Sequence, residues 1–357
     1  MTVSALGVII VTFNSADVIL DCLESLLKSR GLHLHIAVVD NASSDSTLTV
    51  LKDWASAKRP YAPSADMPFA LVPTPKPLAP QEDGTSFIAE HGHRLSLIEG
   101  GVNAGFAAGV NKGLAYLSIR PEIDRFWVLN PDCAVPPGTA LAFASESGPA
   151  QGFSVMGGRV IYLDNSNTIQ IDGGWVNKRT GVTGNVNLGA PHSVPPPDPA
   201  GFDFITGASM IVSRAFYEKA GPMSEDYFLY YEEVDWALRR GELPLAYCAD
   251  GIVYHRAGTA IGSPTMGRPA SPFSLYFKHR GRLQFMRRHF PKNLILAYAY
   301  SCAKAVQLLA KGYPSEAYAV FSASFGLSPI AAIRARLSPE AANIAFRVGE
   351  KNPTSVD

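Results

Sequence analysis

Two largely apolar runs near the N-terminus, residues 6–11 and 35–39, constrain the fold of this chain more than any other feature. Such runs are typical of strands that are buried on both faces of a parallel sheet. After each run, apolar side chains recur at helical spacing, namely Leu20, Leu23 and Leu27, then Leu48, Leu51 and Trp54. This strand-helix-strand-helix order predicts an α/β fold with a mainly parallel central sheet, in which ligands bind at the carboxyl ends of the strands.

The rest of the chain continues the pattern and then changes it. A short helix is expected over residues 232–240 and mostly helical structure from about residue 272, and further strands are expected at residues 95–98, 126–129, 155–162, 204–212 and 251–254. We therefore expect one domain over residues 1–270, with halves at 1–135 and 136–270, followed by a helical region at 271–357.

Residues 58–93 interrupt this pattern. The segment is rich in proline and has few apolar side chains at regular spacing. Such a composition predicts a surface insertion or a partly disordered loop.

The charge and cysteine content restrict the class of protein. Lys and Arg together number 31, as do Asp and Glu, so the formal net charge is zero. This balance offers no broad basic surface, and no nucleic-acid partner is expected. The four cysteines (Cys22, Cys133, Cys248 and Cys302) are scattered without C-x-x-C spacing, which favours reduced thiols in a cytoplasmic protein over a zinc site.

Membrane insertion is not expected. No basic region precedes the first apolar stretch, so a signal peptide is not predicted. The longest helical apolar stretch, residues 294–310, is interrupted by Lys304 and Gln307. It is suited to peripheral contact with the inner face of a membrane rather than to crossing one. The sequence makes no prediction of the oligomeric state.

Single carboxylates follow two of the predicted strands. Asp132 comes after the strand at 126–129, where a carboxylate can hold Mg²⁺ or Mn²⁺, and the alternative is an Asn-Pro-Asp turn. Asp40 follows the strand at 35–39, where it can accept a hydrogen bond from a base or a ribose hydroxyl. The alternative for Asp40 is a turn or a helix cap.

A second acidic group, Glu232, Glu233 and Asp235, lies among Tyr230, Tyr231 and Trp236. Carboxylates crowded against aromatic side chains can have a pKa raised into the range of a general base. An acidic helix N-terminus, favoured by the helix dipole, is the structural alternative.

Histidine and arginine side chains supply the remaining candidates. A lone histidine such as His255 is more often a structural hydrogen-bonding residue than a metal ligand. Arginines cluster after residue 278, and they can bind phosphate or form a solvated helix face. We assign Arg287 and Arg288 to a solvated face and leave Arg280 open.

Several segments, in this order, resemble the family 2 glycosyltransferases and in particular their rhamnosyltransferase-like branch. They are residues 8–14 (VIIVTFN), 38–45 (VVDNASSD), 103–111 (NAGFAAGVN), 129–132 (LNPD), 207–210 (GASM) and 228–235 (FLYYEEVD), followed by His255 and residues 276–291. The resemblance covers roughly residues 5–57 and 95–291.

The resemblance implies a GT-A fold with a nucleotide-sugar-binding half and an acceptor half. It also implies inverting transfer of a sugar, with rhamnose as a candidate, from a dTDP- or UDP-sugar to a glycan or lipid-linked glycan. Such a reaction belongs to the synthesis of cell-envelope polysaccharide, and Mg²⁺ or Mn²⁺ is the implied cofactor.

Residue roles follow from the same resemblance. Thr12, Phe13 and Asp40 match positions that contact the base, Asp132 and His255 match metal ligands, and Glu233 matches the catalytic base. The remaining candidates are Glu232 and Asp235 beside that base, and Asn14, Asn111 and Asn130 for substrate binding.

Two positions depart from the family pattern. Asn130 replaces the first carboxylate of the usual D-x-D motif, which removes a negative charge from the metal site. Glu233 replaces the more usual aspartate and extends the side chain by one methylene. A protein that binds a sugar nucleotide or a glycan without catalysis is therefore the alternative function.

Overall fold

The computed structural model describes residues 5–256 and 269–346 of the chain. Residues 1–4, on which the signal-peptide prediction rests, lie outside this range. The strands are β1 (Ala5–Thr12), β2 (His33–Asp40), β3 (Ala79–Pro80), β4 (Ser86–Ile88), β5 (Arg94–Glu99), β6 (Ile123–Leu129), β7 (Cys133–Ala134), β8 (Val155–Tyr162), β9 (Ile169–Ile171), β10 (Gly174–Val176), β11 (Thr183–Asn185), β12 (Ser209–Ser213) and β13 (Ala246–His255). The helices are α1 (Ile19–Leu26), α2 (Thr47–Ala55), α3 (Phe106–Ser118), α4 (Thr139–Ser145), α5 (Arg214–Ala220), α6 (Glu232–Leu238), α7 (Pro272–His289), α8 (Leu294–Ala310), α9 (Pro314–Phe325), α10 (Ala331–Arg334) and α11 (Pro339–Ala345).

One large mixed sheet runs through both halves of the α/β region. Its strand order is β3-β4-β5-β2-β1-β6-β12-β8-β13-β7, with β9 on β8, and β10 and β11 form a separate hairpin. The pairs among β5, β2, β1 and β6 are parallel, as predicted, whereas β12 runs antiparallel to β6. Because β12 joins β6 to β8, the sheet continues across the expected boundary at residue 135.

Helix α3 packs closely against β1 in the middle of the sheet. An added Cβ at Gly109 would lie 2.5 Å from Val11 Cγ1, and one at Gly113 would lie 2.5 Å from Ile9 Cγ2. Only glycine lets the helix approach β1 this closely. Large aromatic side chains, among them Trp54, Trp127 and Trp236, fill the cores on the two faces of the sheet.

Residues 58–93 form a surface insertion attached to the sheet, which is the first of the two expected alternatives. Its strand β4 pairs antiparallel with β5 and extends the sheet edge. Two buried carboxylates of α1 hold the remainder. Asp21 accepts hydrogen bonds from Tyr61 and Ser64, and Glu24 accepts from Thr74 and Lys76.

The helical region packs against the α/β region through α7. Arg282 is buried and donates to the backbone oxygens of Thr180 and Ala297. Arg287 and Arg288 are both exposed, as assigned, and Arg288 also forms ion pairs with Asp226 and Asp235. Arg280 donates to the backbone oxygen of Ala345. Among the described helices, none is long and apolar enough to cross a membrane.

Candidate functional site

The carboxyl ends of β1 and β2 place Thr12 beside Asp40. The two residues are register partners, and both are buried. Thr12 Oγ1 donates to Asp40 Oδ1 at 3.0 Å, and Ser43 donates to the same carboxylate through Oγ at 2.5 Å and through its amide at 3.0 Å. Asp40 therefore makes the turn contacts that were the alternative interpretation of this residue. The same contacts hold its carboxylate at the sheet edge where the ligand is expected.

Asn14 fastens the loop after β1 to the loop after β2. Its backbone is left-handed (φ 53°), and its side-chain oxygen accepts from the amides of Ser44 at 2.8 Å and Asp45 at 3.2 Å. The neighbouring Phe13 is half-buried at this edge. Asn14 therefore shapes the loops that surround Phe13 and Asp40.

Asn111 makes a structural contact with both atoms of its amide. Its side-chain oxygen accepts from the amide of Met223 at 2.9 Å, and Nδ2 donates to Met223 O and Glu225 Oε1, each at 2.9 Å. The side chain clamps the loop before α6 onto α3. These contacts do not favour the expected role in substrate binding.

Asp132 and His255 come together because β7 pairs antiparallel with β13. Asp132 Oδ1 lies 3.1 Å from His255 Nε2. This is also the separation of two neighbouring ligands of one small cation, roughly 3 Å for ligands at about 2.1 Å. A carboxylate oxygen and an imidazole nitrogen form a donor set suited to Mn²⁺ or Mg²⁺.

Two amide side chains contact the ring of His255. Gln170 Oε1 lies 2.8 Å from Nδ1, and Asn130 Nδ2 lies 3.3 Å from Nε2. An acceptor beside Nδ1 favours the tautomer with its proton on that nitrogen, which leaves Nε2, the ring atom that faces Asp132, able to bind a metal. The residues present therefore fit a divalent metal.

Cys133 lies within ligand distance of this pair but is poorly suited to bind the metal. The three groups lie within 4.8 Å of one another. The Cys133 thiol is buried and donates to Ala208 O at 3.5 Å, and burial raises its pKa well above the ordinary value. Metal binding requires a thiolate. Asp132 and His255 are thus the plausible protein ligands.

The acidic cluster at the start of α6 divides into two kinds of carboxylate. Glu232 is buried, and its Oε2 has no hydrogen-bond partner among the described residues. Burial, with the neighbouring charge of Glu233, raises the pKa of Glu232 well above its usual value. Glu233 is only half-buried, and burial raises its pKa while the charge of Lys278 opposes that rise. Elevated carboxyl pKa values are what a general base requires.

Asp235 has a different environment. It is fully buried, and its partners are His289 Nε2 at 2.7 Å, Arg288 at 3.1 Å and Arg239 at 3.3 Å. Burial alone would raise the pKa of Asp235, but the hydrogen bond from His289 and the two arginine charges hold it below its usual value. Asp235 therefore anchors α6 to α7 and is a poor proton acceptor.

A chain of contacts links the Asp40 edge to α6. Asn41 Nδ2 donates to Gly105 O at 2.8 Å, and the amide of Phe106 donates to Phe228 O at 3.1 Å. Gly105 is required here, because an added Cβ would lie 2.4 Å from Phe228 O. Tyr230 and Tyr231 then adopt left-handed backbone conformations (φ 68° and 74°) just before Glu232. Strain of this kind concentrates at functional sites.

Comparison with known proteins bears on the resemblance seen in the sequence. Residues 7–65 match the model of glycosyl transferase family 2, so the resemblance to that family is confirmed over this part of the chain. The chain is also 22% identical over 204 residues to the low-salt glycan biosynthesis hexosyltransferase Agl10 of Haloferax volcanii, a match that covers 56% of this chain and 62% of Agl10.

The solved structure of GalNAc-T7 confirms the GT-A fold that the resemblance implies. The crystal structure of GalNAc-T7 with UDP, GalNAc and Mn²⁺ superposes with a TM-score of 0.55 and 12% identity, over 96% of this chain and 57% of that one. The mannosyltransferase PcManGT of Pyrobaculum calidifontis, in complex with GDP-Man and Mn²⁺, gives a TM-score of 0.49 and 14% identity, over 90% of this chain and 86% of that one.

The residues that support the candidate site could not all be found in the sequence. Gln170 lies on β9, in a region with no recognisable motif, and only the pairing of β9 with β8 brings it to His255. Arg256, next to His255, and Asp66 of the insertion form an ion pair near the same loop. Neither residue belongs to a segment that carries the family resemblance.

Proposed function

We propose that this protein is a metal-assisted, inverting glycosyltransferase that uses a nucleoside diphosphate sugar. The observation that carries the proposal is the Asp132–His255 pair, in which Gln170 and Asn130 contact the two ring nitrogens of the histidine. Asp40 and Phe13, at the neighbouring strand ends, supply a place for the base. In this proposal the base, the diphosphate and the acceptor bind at neighbouring places along the edge formed by the carboxyl ends of the strands.

Asp132 and His255 would hold the cation. A divalent cation bound there supplies positive charge to the departing diphosphate. Asn130 leaves the site with one carboxylate, so the diphosphate oxygens complete the charge balance. The Mn²⁺ in the GalNAc-T7 and PcManGT structures is consistent with this choice.

Glu233 would act as the general base. An acceptor hydroxyl oxygen attacks the anomeric carbon, its proton passes to the Glu233 carboxylate, and the bond from that carbon to the diphosphate oxygen breaks. One displacement inverts the anomeric configuration. Burial and the neighbouring charge of Glu233 raise the pKa of Glu232, whereas the charge of Lys278 opposes the rise in the pKa of Glu233, which favours Glu233 as the proton acceptor. Asp235 positions both through α6.

The proposed donor is a dTDP- or UDP-sugar. Rhamnose is the candidate sugar because the sequences of residues 8–14 and 228–235 resemble those of the rhamnosyltransferase-like branch. The proposed acceptor is a glycan or a lipid-linked glycan of the cell envelope. A lipid-linked acceptor suits the exposed apolar side chains on α8 and α9, which include Ile295, Val306 and Phe321. They would lie against the inner face of the membrane.

A donor screen tests the proposal. Thermal shift with UDP-, dTDP- and GDP-sugars, with and without Mn²⁺, should reveal a donor whose stabilising effect depends on the metal. Hydrolysis of that donor should also require Mn²⁺. If a sugar nucleotide binds but is neither hydrolysed nor transferred to any acceptor, the protein is a binding module, as the missing carboxylate at Asn130 would allow.

A further inference from the structure

The insertion reaches the loop that carries the metal pair. Arg256 follows His255, and its amide donates to Asp132 O at 3.0 Å. Its guanidinium forms a bidentate ion pair with the carboxylate of Asp66, from Nη1 to Oδ2 at 2.6 Å and from Nη2 to Oδ1 at 2.8 Å. Beside this pair, the ring centroids of Phe69 and Tyr254 lie 6.0 Å apart. Residues 58–93 thus border the site.

Both ends of this contact segment are fixed. On one side of Asp66, Tyr61 OH donates to Asp21 Oδ1 at 2.6 Å. On the other side, the amide of Thr74 donates to Glu24 Oε2 at 2.6 Å. Residues 61–74 therefore form an arch whose two ends are hydrogen-bonded to α1. In the middle of the arch, Asp66 pairs with Arg256 and Phe69 packs near Tyr254, at the end of β13.

The ion pair between Arg256 and Asp66, in the middle of the arch, is partly exposed to solvent. The side chains of Arg256 and Asp66 are 30% and 39% exposed. Ion pairs this accessible to water contribute little to stability. A phosphate presents oxygens to guanidinium in the same forked geometry as a carboxylate and carries more charge. A diphosphate near Asp132 can therefore replace Asp66 on Arg256.

We propose that Arg256 binds the diphosphate of the donor, and that Asp66 of the insertion occupies the guanidinium until the donor arrives. The inference rests on the proposed function, since it names a binding residue of the same site. Asn130 leaves the site with one carboxylate ligand and therefore a weaker hold on the cation. Arg256 supplies a positive charge that contacts the diphosphate independently of the metal.

Binding measured without metal tests the exchange. In EDTA, the Arg256→Gln substitution should weaken binding of UDP or dTDP about tenfold or more, because a charge-assisted hydrogen bond is lost. Binding of the nucleosides uridine and thymidine, followed by ligand-observed NMR, should not change. The Asp66→Asn substitution should strengthen nucleoside diphosphate binding about two- to fivefold, and only when Arg256 is present.

Glu82→Gln is the matched control, because Glu82 is an exposed carboxylate in the turn between β3 and β4 of the same insertion. It should leave the affinity unchanged. Unchanged or weaker diphosphate binding in Asp66→Asn would overturn the inference, as would an equal loss of nucleoside and diphosphate binding in Arg256→Gln. Asp66→Asn alone decides the matter if Arg256→Gln does not fold.

Hydrogen exchange supplies a second readout. Saturating UDP or dTDP should speed amide exchange over residues 62–70 of the wild-type protein, because the arch loses its contact with Arg256. In Arg256→Gln, exchange there should already be fast and should not respond to ligand. If the wild-type protein binds no nucleoside diphosphate even with Mn²⁺, the proposed function itself fails. If it binds one while the exchange and affinity tests show no coupling, only the present inference fails.

Discussion

The imidazole of His255 and the carboxylate of Asp132 face each other at 3.1 Å across the pairing of β7 with β13. Gln170 Oε1 lies 2.8 Å from Nδ1, on the opposite side of the ring. A ring that donates from Nδ1 to Gln170 has Nε2 available as a metal ligand beside the carboxylate. This arrangement makes Gln170 the residue on which the metal affinity of His255 depends.

Removal of Gln170 should weaken metal binding without disturbing the fold. We expect Gln170→Ala to lower the affinity for Mn²⁺, measured by electron paramagnetic resonance with UDP present, by about tenfold or more. His255→Ala should lower it further. Gln151→Ala, at an exposed position outside the site, is the control. Equal affinities of wild type and Gln170→Ala would remove the argument for the tautomer.

Glu233 and Glu232 should respond differently to loss of charge. Glu233→Gln should lower kcat by about 10²- to 10⁴-fold, the usual contribution of a general base, with donor binding retained. Glu233→Asp should lose less, because the proton acceptor remains but is withdrawn by one methylene. Both variants should keep the wild-type circular dichroism spectrum. Near-normal turnover by folded Glu233→Gln would refute the assignment.

The pH dependence of the rate should depend on Lys278. A general base works when deprotonated, so kcat should fall as the pH drops through the pKa of Glu233, which burial raises above 4.5. The Lys278 charge opposes that rise. Lys278→Met should therefore move the acidic limb of the profile to higher pH. Lys219→Met, an exposed control in the last turn of α5, should leave the profile in place. A shift to lower pH would contradict the argument.

The buried carboxyl of Glu232 should cost stability at neutral pH. Its pKa in the folded protein is raised above 4.5, so between 4.5 and that raised value the folded state binds more protons than the unfolded state. Stability then falls as the pH rises through this window. In Glu232→Gln this fall should be smaller. The comparison requires the Tm of both proteins at pH 5 and pH 8. An equal fall in both would show that another group is responsible.

Local sequence patterns predicted the strands that hold the site, whereas the exact ends of other strands depend on long-range pairing. The apolar runs at 6–11, 35–39 and 126–129 predicted the strands that end at Thr12, Asp40 and Leu129, because a strand buried on both faces has a continuous apolar sequence. The short strand expected at 251–254 extends over Ala246–His255, and the strand expected at 204–212 is confined to Ser209–Ser213. Partner strands that are distant in sequence set these ends.

The same distinction applies to the site. Asp132 and His255 could be named as candidates, but their separation depends on the β7–β13 register, which no local motif encodes. Asn111 lies within a family-like segment, yet its amide is satisfied by Met223 from a distant loop. A carboxamide has the same sequence signature whether its partner is a substrate or the backbone.

Exposed apolar side chains on α8 and α9 predict membrane contact. Ile295 is 83% exposed, Val306 66% and Leu309 60%, and Lys292 and Lys311 lie near the ends of α8. An apolar surface beside lysines is suited to anionic lipid. The wild-type protein should sediment with phosphatidylglycerol vesicles, and joint replacement of Val306 and Leu309 by Asp should weaken sedimentation about tenfold or more, since each buried aliphatic side chain contributes roughly 1.5–3 kcal/mol. Leu188→Asp changes a comparably exposed leucine (57%) outside these helices and should have no effect. Absence of wild-type sedimentation, or an equal loss in Leu188→Asp, would show that this surface does not bind lipid.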